Sequence, residues 1–190
     1  MRIFKDIWTY FGQSQPVFIR VLHLMVIFLV ASQLITSDFV DLDNARRLGN
    51  SVSFDFGTWT HILPGLALAV IATIFVLTEL FRRGLKYFFP YLWGDLSPLK
   101  SDLKTLAGRK LPEASPGGLA AIIQGLGLGA LSLTLLSGLT WFLLVQTGSG
   151  LAHAAIEVHE TLTGLVVVYV IGHGGMGILH IILWMRSTSR

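Results

Sequence analysis

Long apolar runs separated by short polar segments dominate the chain. Four of them reach the roughly 20 predominantly apolar residues that a helix needs to cross a hydrocarbon core: Pro16 to Thr36, Trp59 to Leu80, Gly118 to Val145 and Ala152 to Trp184. The last two exceed the minimum, which allows tilt or protrusion. The first run is longer than the apolar core of a signal peptide, contains His23, and offers only Val30-Ala31-Ser32 as a weak cleavage-site match, so it reads as a retained helix. The pattern predicts an all-α integral membrane four-helix bundle, with residues 1–190 forming a single membrane domain.

The polar segments orient the bundle. The N-terminal arm through Arg20 carries three Lys/Arg, the segment from Arg82 to Gly117 carries seven, and the tail adds Arg186 and Arg190, against Arg46 and Arg47 alone in the first loop. The positive-inside bias therefore predicts both termini on the cytoplasmic side. Asp38, Asp41, Asp43, Asp55 and Glu157 then make the outer loops acidic, either as a plain solvated surface or as a face for a basic soluble partner. In the inner loop, Ser97 is a candidate cap and Pro98 suits the first helical position. Leu99, Leu103 and Leu106 repeat at helical spacing among Lys100, Lys104 and Lys110, with Gly108 near the end. This predicts a short interfacial helix on the inner leaflet or against a catalytic subunit. Glu113 to Gly118 reads as the turn into the third span.

Composition agrees with the pattern: 53% of the 190 residues are hydrophobic and 13% charged, where a soluble domain carries about 25% charged residues. Cysteine is absent, which excludes disulfides, thiolate metal sites, cysteine-ligated iron–sulfur clusters and covalent haem attachment through Cys-x-x-Cys-His.

Against this apolar background the six histidines stand out: His23, His61, His153, His159, His173 and His180. Histidine is costly in hydrocarbon and faces a bundle interior with a partner. His159 and His173 are 14 residues apart, an interval about 40° short of four helical turns and about 21 Å in rise, so they share one face at two depths. With the predicted orientation, His61 and His159 lie near the outer side, and His23 and His173 near the inner side. Two imidazoles from facing helices at one depth can fill both axial positions of a haem iron, and helix bundles host such cofactors. Gly65, Gly164, Gly172, Gly174, Gly175 and Gly177, with Gly125, Gly127, Gly129 and Gly138 on the third span, would give a flat macrocycle room; taken alone they equally fit close helix packing. His153 is turned about 120° from the His159 face and reads as a boundary residue. His180 shares the ligand face at the cytoplasmic edge, either replacing His173 as inner ligand or lining a quinone pocket. Arg20, Arg82 and Arg83 fit haem propionates or the positive-inside bias alone.

These residues carry a resemblance. His23 within Val21-Leu22-His23-Leu24-Met25, His61 within Thr60-His61-Ile62-Leu63-Pro64-Gly65, and the run from Val158-His159-Glu160 through His173 to His180 resemble the four-helix prokaryotic di-haem cytochromes b. That group includes bacterial cytochrome b561 and the membrane gamma subunits of respiratory formate dehydrogenases and nickel–iron hydrogenases. The resemblance covers all four spans and is most specific in the span-four histidine spacing. It implies two haem b groups, one held by His61 with His159 and one by His23 with His173. In the cytochrome b561 branch the third span-four histidine is associated with quinone, which implies His180 as a quinone contact. The formate dehydrogenase branch has an Asn and a Gln at the entrance to span three, where this chain has Gly117-Gly118-Leu119-Ala120; Gln124 is the amide nearby. The chain also stops soon after Trp184, without the longer tail of some gamma subunits, which favours a free-standing protein or a soluble cytochrome partner.

The expected function is a di-haem transmembrane electron carrier of the inner membrane, linking the quinone pool to an outside redox partner, with quinone reacting at the cytoplasmic side. Expected partners are quinone or quinol, membrane lipid, and a c-type cytochrome or a dehydrogenase or hydrogenase catalytic subunit; a homodimer is allowed and nucleic acid has no role. One alternative is a membrane-anchor subunit of a respiratory dehydrogenase or hydrogenase. Another is a histidine-lined metal transporter or di-iron enzyme, although Glu79 and Glu160, besides Glu157, are the only carboxylates in or near the spans.

Overall fold

The computed structural model describes residues 7–9, 11–12, 15–40 and 56–188. Arg2, Lys5, Asp41, Asp43, Arg46, Arg47, Asp55 and Arg190, on which part of the charge pattern rests, lie outside them. The described residues are helical apart from turns and short connections. The four long apolar helices are α1 (Val17–Thr36), α2 (Phe56–Arg83), α5 (Leu119–Gln146) and α6 (Ala152–Thr188). Their bounds differ from the sequence-based spans by a few residues, chiefly where α2 and α6 run on past the apolar segment. Between α2 and α5 lie α3 (Leu85–Phe88) and α4 (Ser97–Ala107).

Two antiparallel pairs form the bundle, α1 with α2 and α5 with α6, and α2 packs on α5 to join them. The helix α6 follows α5 along its length and makes few close backbone approaches to α1 or α2. Two buried layers hold the interior together. One gathers Ile62, Trp141, Val145, Ala152 and Ile156 at the end where α5 turns into α6. The other, Val26, Val30, Leu68, Ala72 and Val166, lies halfway along and draws on α1, α2 and α6. The outward faces are apolar as well: Phe28 is 73% exposed, Val70 62% and Val168 71%. In water such a surface would drive aggregation; among lipid tails it is the required exterior.

The connection between the two pairs is docked rather than loose. The helix α2 stops where Gly84 takes φ +82°, a value that favours glycine. Phe88 then buries against Gly125 of α5, where an added Cβ would come within 2.8 Å of Phe88 Cβ. Ser97 proves to be the first residue of α4 rather than its cap, and its amide donates to Asp95 Oδ1 at 3.3 Å. The half-buried face of α4 runs through Pro98, Leu99, Asp102 and Leu106, while Leu103 stays exposed. Buried Asp102 reaches across to accept the Leu119 N–H at 2.7 Å, satisfying one of the free amides that open α5. The turn expected over Glu113 to Gly118 closes with Gly117 at φ +69°, its N–H donated to the Tyr87 carbonyl at 3.0 Å.

Replacing Asp102 by Ala removes that acceptor, a loss of about 1 kcal/mol for a helix cap. For a chain of this size the thermal midpoint in detergent should fall roughly 2–4 °C. Asp102→Asn, which keeps an oxygen acceptor, should recover most of it. An unchanged midpoint for Asp102→Ala contradicts the docking role.

Candidate functional site

Polar groups inside the bundle must find partners within the protein, because the surrounding lipid offers none. Four of the six histidines do so in twos. His61 of α2 faces His159 of α6 with ring centres 6.5 Å apart and planes at 81°. His23 of α1 faces His173 of α6 with centres 6.2 Å apart and planes at 63°. These are the pairs that depth alone predicts.

The spacing discriminates between two kinds of contact. A direct N–H···N hydrogen bond near 2.9 Å would bring two imidazole centres to roughly 5.2 Å. Two rings bound on opposite sides of one metal ion, each by a metal–nitrogen bond of about 2.0–2.1 Å, have centres roughly 6.4 Å apart. Both observed distances are longer than the first and compatible with the second. Among the described residues no group of three or more His, Cys, Asp or Glu side chains that could hold a metal ion is found.

At the His61–His159 pair the free ring nitrogen is identified by what holds the other one. His159 Nδ1 lies 3.0 Å from the Thr134 carbonyl oxygen, which can only accept, so Nδ1 carries the proton. Ser137 Oγ, 3.1 Å away, shares it, because the Ser137 hydroxyl proton is itself donated to the Thr134 carbonyl at 2.8 Å. Likewise Thr36 donates its hydroxyl to the Ser32 carbonyl at 2.8 Å and accepts from His61 Nδ1 at 3.3 Å. Both rings therefore keep Nε2 as the lone-pair nitrogen, the second-shell arrangement that orients metal-bound histidines. Gly138 makes room for it: a Cβ there would lie 2.8 Å from His159 Cε1.

Aromatic faces hold the His23–His173 pair. His23 stacks on Phe75, ring centres 5.7 Å apart and planes 3° from parallel, with Phe11 edge-on at 6.4 Å. His173 stacks on Tyr169 at 4.9 Å and 10°, and Tyr169 is seated in the notch left by Gly127. A cavity opens beside these rings, with Arg20, Glu79 and Gln124 in its lining. Arg20 reaches the Trp8 carbonyl at 2.9 Å and lies over the Trp8 ring, while its Nε is buried without a hydrogen-bond partner.

Other residues fall differently from their sequence-based reading. Arg82 and Arg83 are committed to buried Glu79, at 2.7 and 2.9 Å, because a carboxylate at this depth requires counter-charge. Of the three arginines considered for propionates, this leaves Arg20 at the cavity. His180 donates Nδ1–H to Met176 O at 2.8 Å within its own helix and joins neither pair. Gln124 lines the cavity beside His23 and His173, apart from His180. His153 pairs with Glu157 at 3.5 Å on an exposed surface, the boundary position expected for it. The glycines divide: Gly65, Gly125, Gly127 and Gly138 are notches filled by side chains, whereas Gly129, Gly164, Gly172, Gly174, Gly175 and Gly177 face open space. Sequence reasoning missed Thr36, Thr134, Ser137, Phe75 and Tyr169. The hydroxyls at Thr134 and Ser137, three residues apart in an apolar span, were the available signal for the first group.

The family model described as prokaryotic cytochrome b561 matches residues 14–190. No curated protein and no solved structure matches the chain.

Gly138→Leu should force the His159 ring out of place. The expected result is a fall in bound haem per chain, measured as the pyridine haemochrome. Full haem retention contradicts the notch.

Proposed function

Because this chain belongs to the prokaryotic cytochrome b561 family, and so carries electrons on haem b as a multi-pass protein of the bacterial inner membrane, we propose that it holds two haems at two depths and connects the quinone pool to a redox partner outside. The observation that carries this reading is the pair of imidazole spacings, 6.5 Å and 6.2 Å, one at each level of α6. His61 with His159 would hold the outer haem, and His23 with His173 the inner one. Each haem, when bound, supplies a one-electron carrier.

The chain's own residues supply the rest. Nδ1 anchoring aims Nε2 of His61 and His159 into the outer site, and Phe75 and Tyr169 set the ring planes of His23 and His173. The layer of Val26, Val30, Leu68, Ala72 and Val166 separates the two levels with apolar side chains and excludes water. Arg20 brings a positive charge to the inner cavity, suited to an anionic group there.

The excess of Lys and Arg in the Arg82 to Gly117 segment supports a cytoplasmic location for the inner cavity and both termini. Quinone would react on that side. Gln124, in the cavity lining, suits a quinone carbonyl by donating its amide N–H. His180 lies beyond His173 on α6, where its imidazole suits proton exchange at the cytoplasmic edge. The outside partner would be a soluble c-type cytochrome or a dehydrogenase or hydrogenase catalytic subunit.

Dithionite-reduced protein should show the sharp α band of low-spin haem b, with two haems per chain by pyridine haemochrome. His61→Ala or His159→Ala should remove one haem and spare the other. His173→Ala should also remove one, whereas His180→Ala should keep both and slow haem oxidation by soluble quinone analogues. One haem per chain in the unaltered protein sinks the two-haem reading. Haems indifferent to every quinone analogue sink the quinone link.

A further inference from the structure

The segment between α2 and α5 carries a surface that the histidine pairs do not use, and we propose that this surface binds the headgroups of anionic phospholipids. Such binding requires neither haem nor quinone.

The segment is fastened to the bundle at several points. Phe88 is buried against Gly125, the Gly117 N–H is donated to the Tyr87 carbonyl at 3.0 Å, and Asp102 of α4 accepts the Leu119 N–H at 2.7 Å. These contacts hold it at the end of α2 and the start of α5, where two membrane spans meet the headgroup layer. What it exposes therefore lies at the membrane boundary.

Two chemistries share its outward side. Leu92 is 67% exposed, Trp93 54% and Leu103 49%, large apolar side chains that gain from leaving water. Lys100, Lys104, Arg109 and Lys110 are exposed on the same segment. On α4, Lys100, Leu103, Lys104 and Ala107 follow i, i+3, i+4, i+7 spacing and share one exposed face, distinct from the half-buried face of Pro98, Leu99, Asp102 and Leu106. The carboxylates of the segment do little to offset this charge. Asp102 is buried, Asp95 lies 3.7 Å from Lys86, and Glu113 is the one that remains.

This mixture discriminates between kinds of partner. The cores of protein interfaces are depleted in lysine. At a bilayer surface, by contrast, the lysine stem lies along apolar neighbours while its ammonium reaches the phosphates, and tryptophan and tyrosine settle at the same polar–apolar border. Tyr91 and Trp93, both exposed on the single turn Pro90–Trp93, are of that kind. Charge then selects the lipid. Each lysine or arginine near an anionic surface gains roughly fivefold in binding, whereas a zwitterionic headgroup offers no net charge.

The test follows the thermal midpoint of the purified full-length protein in an uncharged detergent as dioctanoyl phosphatidylglycerol or dioctanoyl phosphatidylcholine is added. A ligand of the native state stabilises it by mass action, so the anionic lipid should raise the midpoint well above the zwitterionic one. Salt at about 1 M, which screens charges beyond ~3 Å, should remove most of that difference. Equal responses to the two lipids, or none to either, overturn the proposal. Lys100→Gln/Lys104→Gln/Lys110→Gln alters exposed positions alone and should keep the unaltered midpoint in detergent. Its half-maximal phosphatidylglycerol concentration should increase more than roughly tenfold; an undiminished response places the lipid elsewhere and overturns the proposal. In phosphatidylcholine nanodiscs, the emission lost on Trp93→Phe isolates the Trp93 contribution. Brominated phosphatidylglycerol should quench that contribution more than the same fraction of brominated phosphatidylcholine. Equal quenching would assign the basic face to another kind of partner, such as an acidic protein, and would contradict the lipid reading.

Discussion

A lone imidazole nitrogen has no acceptable resting place among lipid tails, and the arrangement of this bundle follows from that constraint. His61, His159, His23 and His173 meet across helix boundaries at separations too long for a mutual hydrogen bond. Around them the same requirement repeats in ordinary forms. Serine and threonine hydroxyls return to carbonyls of the preceding turn, as Ser132 does to Leu128 and Thr140 to Leu136. Glu79 collects two arginines. The first free amide of α5 is met by Asp102 from another helix.

Both histidine pairs depend on α6, which contributes one imidazole to each. Its few close approaches to α1 and α2 leave the space that the histidine pairs bridge. On its other side α6 is fixed by α5, through Gly138 against His159 and Gly127 against Tyr169. Two missing Cβ atoms thereby set the rotation of a 37-residue helix at both ligand levels. A rotation large enough to misplace one imidazole would misplace the other, so the levels are mechanically coupled although their immediate surroundings differ.

The bundle and the histidine pairing were legible in the sequence because an α-helix has fixed rise and twist: once the spans and their alternation are assigned, the depth of His23 or His173 follows. What sequence did not reveal depends on contacts between helices. Phe75 beneath His23, Thr36 beside His61 and Asp102 at Leu119 are set by crossing geometry, which hydropathy does not encode. Arg82 and Arg83 matched the positive-inside pattern, but their commitment to Glu79 follows from i,i+3 and i,i+4 reach combined with burial. For the glycines, only the neighbours separate a filled notch at Gly138 from open space at Gly172.

The claim that every metal position in this protein has two histidine ligands is tested most directly by electron paramagnetic resonance of the oxidised, haem-loaded protein. Ring planes 81° and 63° apart predict two strongly anisotropic low-spin ferric signals and no high-spin component. A high-spin signal in intact protein, equal in intensity to one haem, would mean that one pair does not close on its iron and would contradict the account.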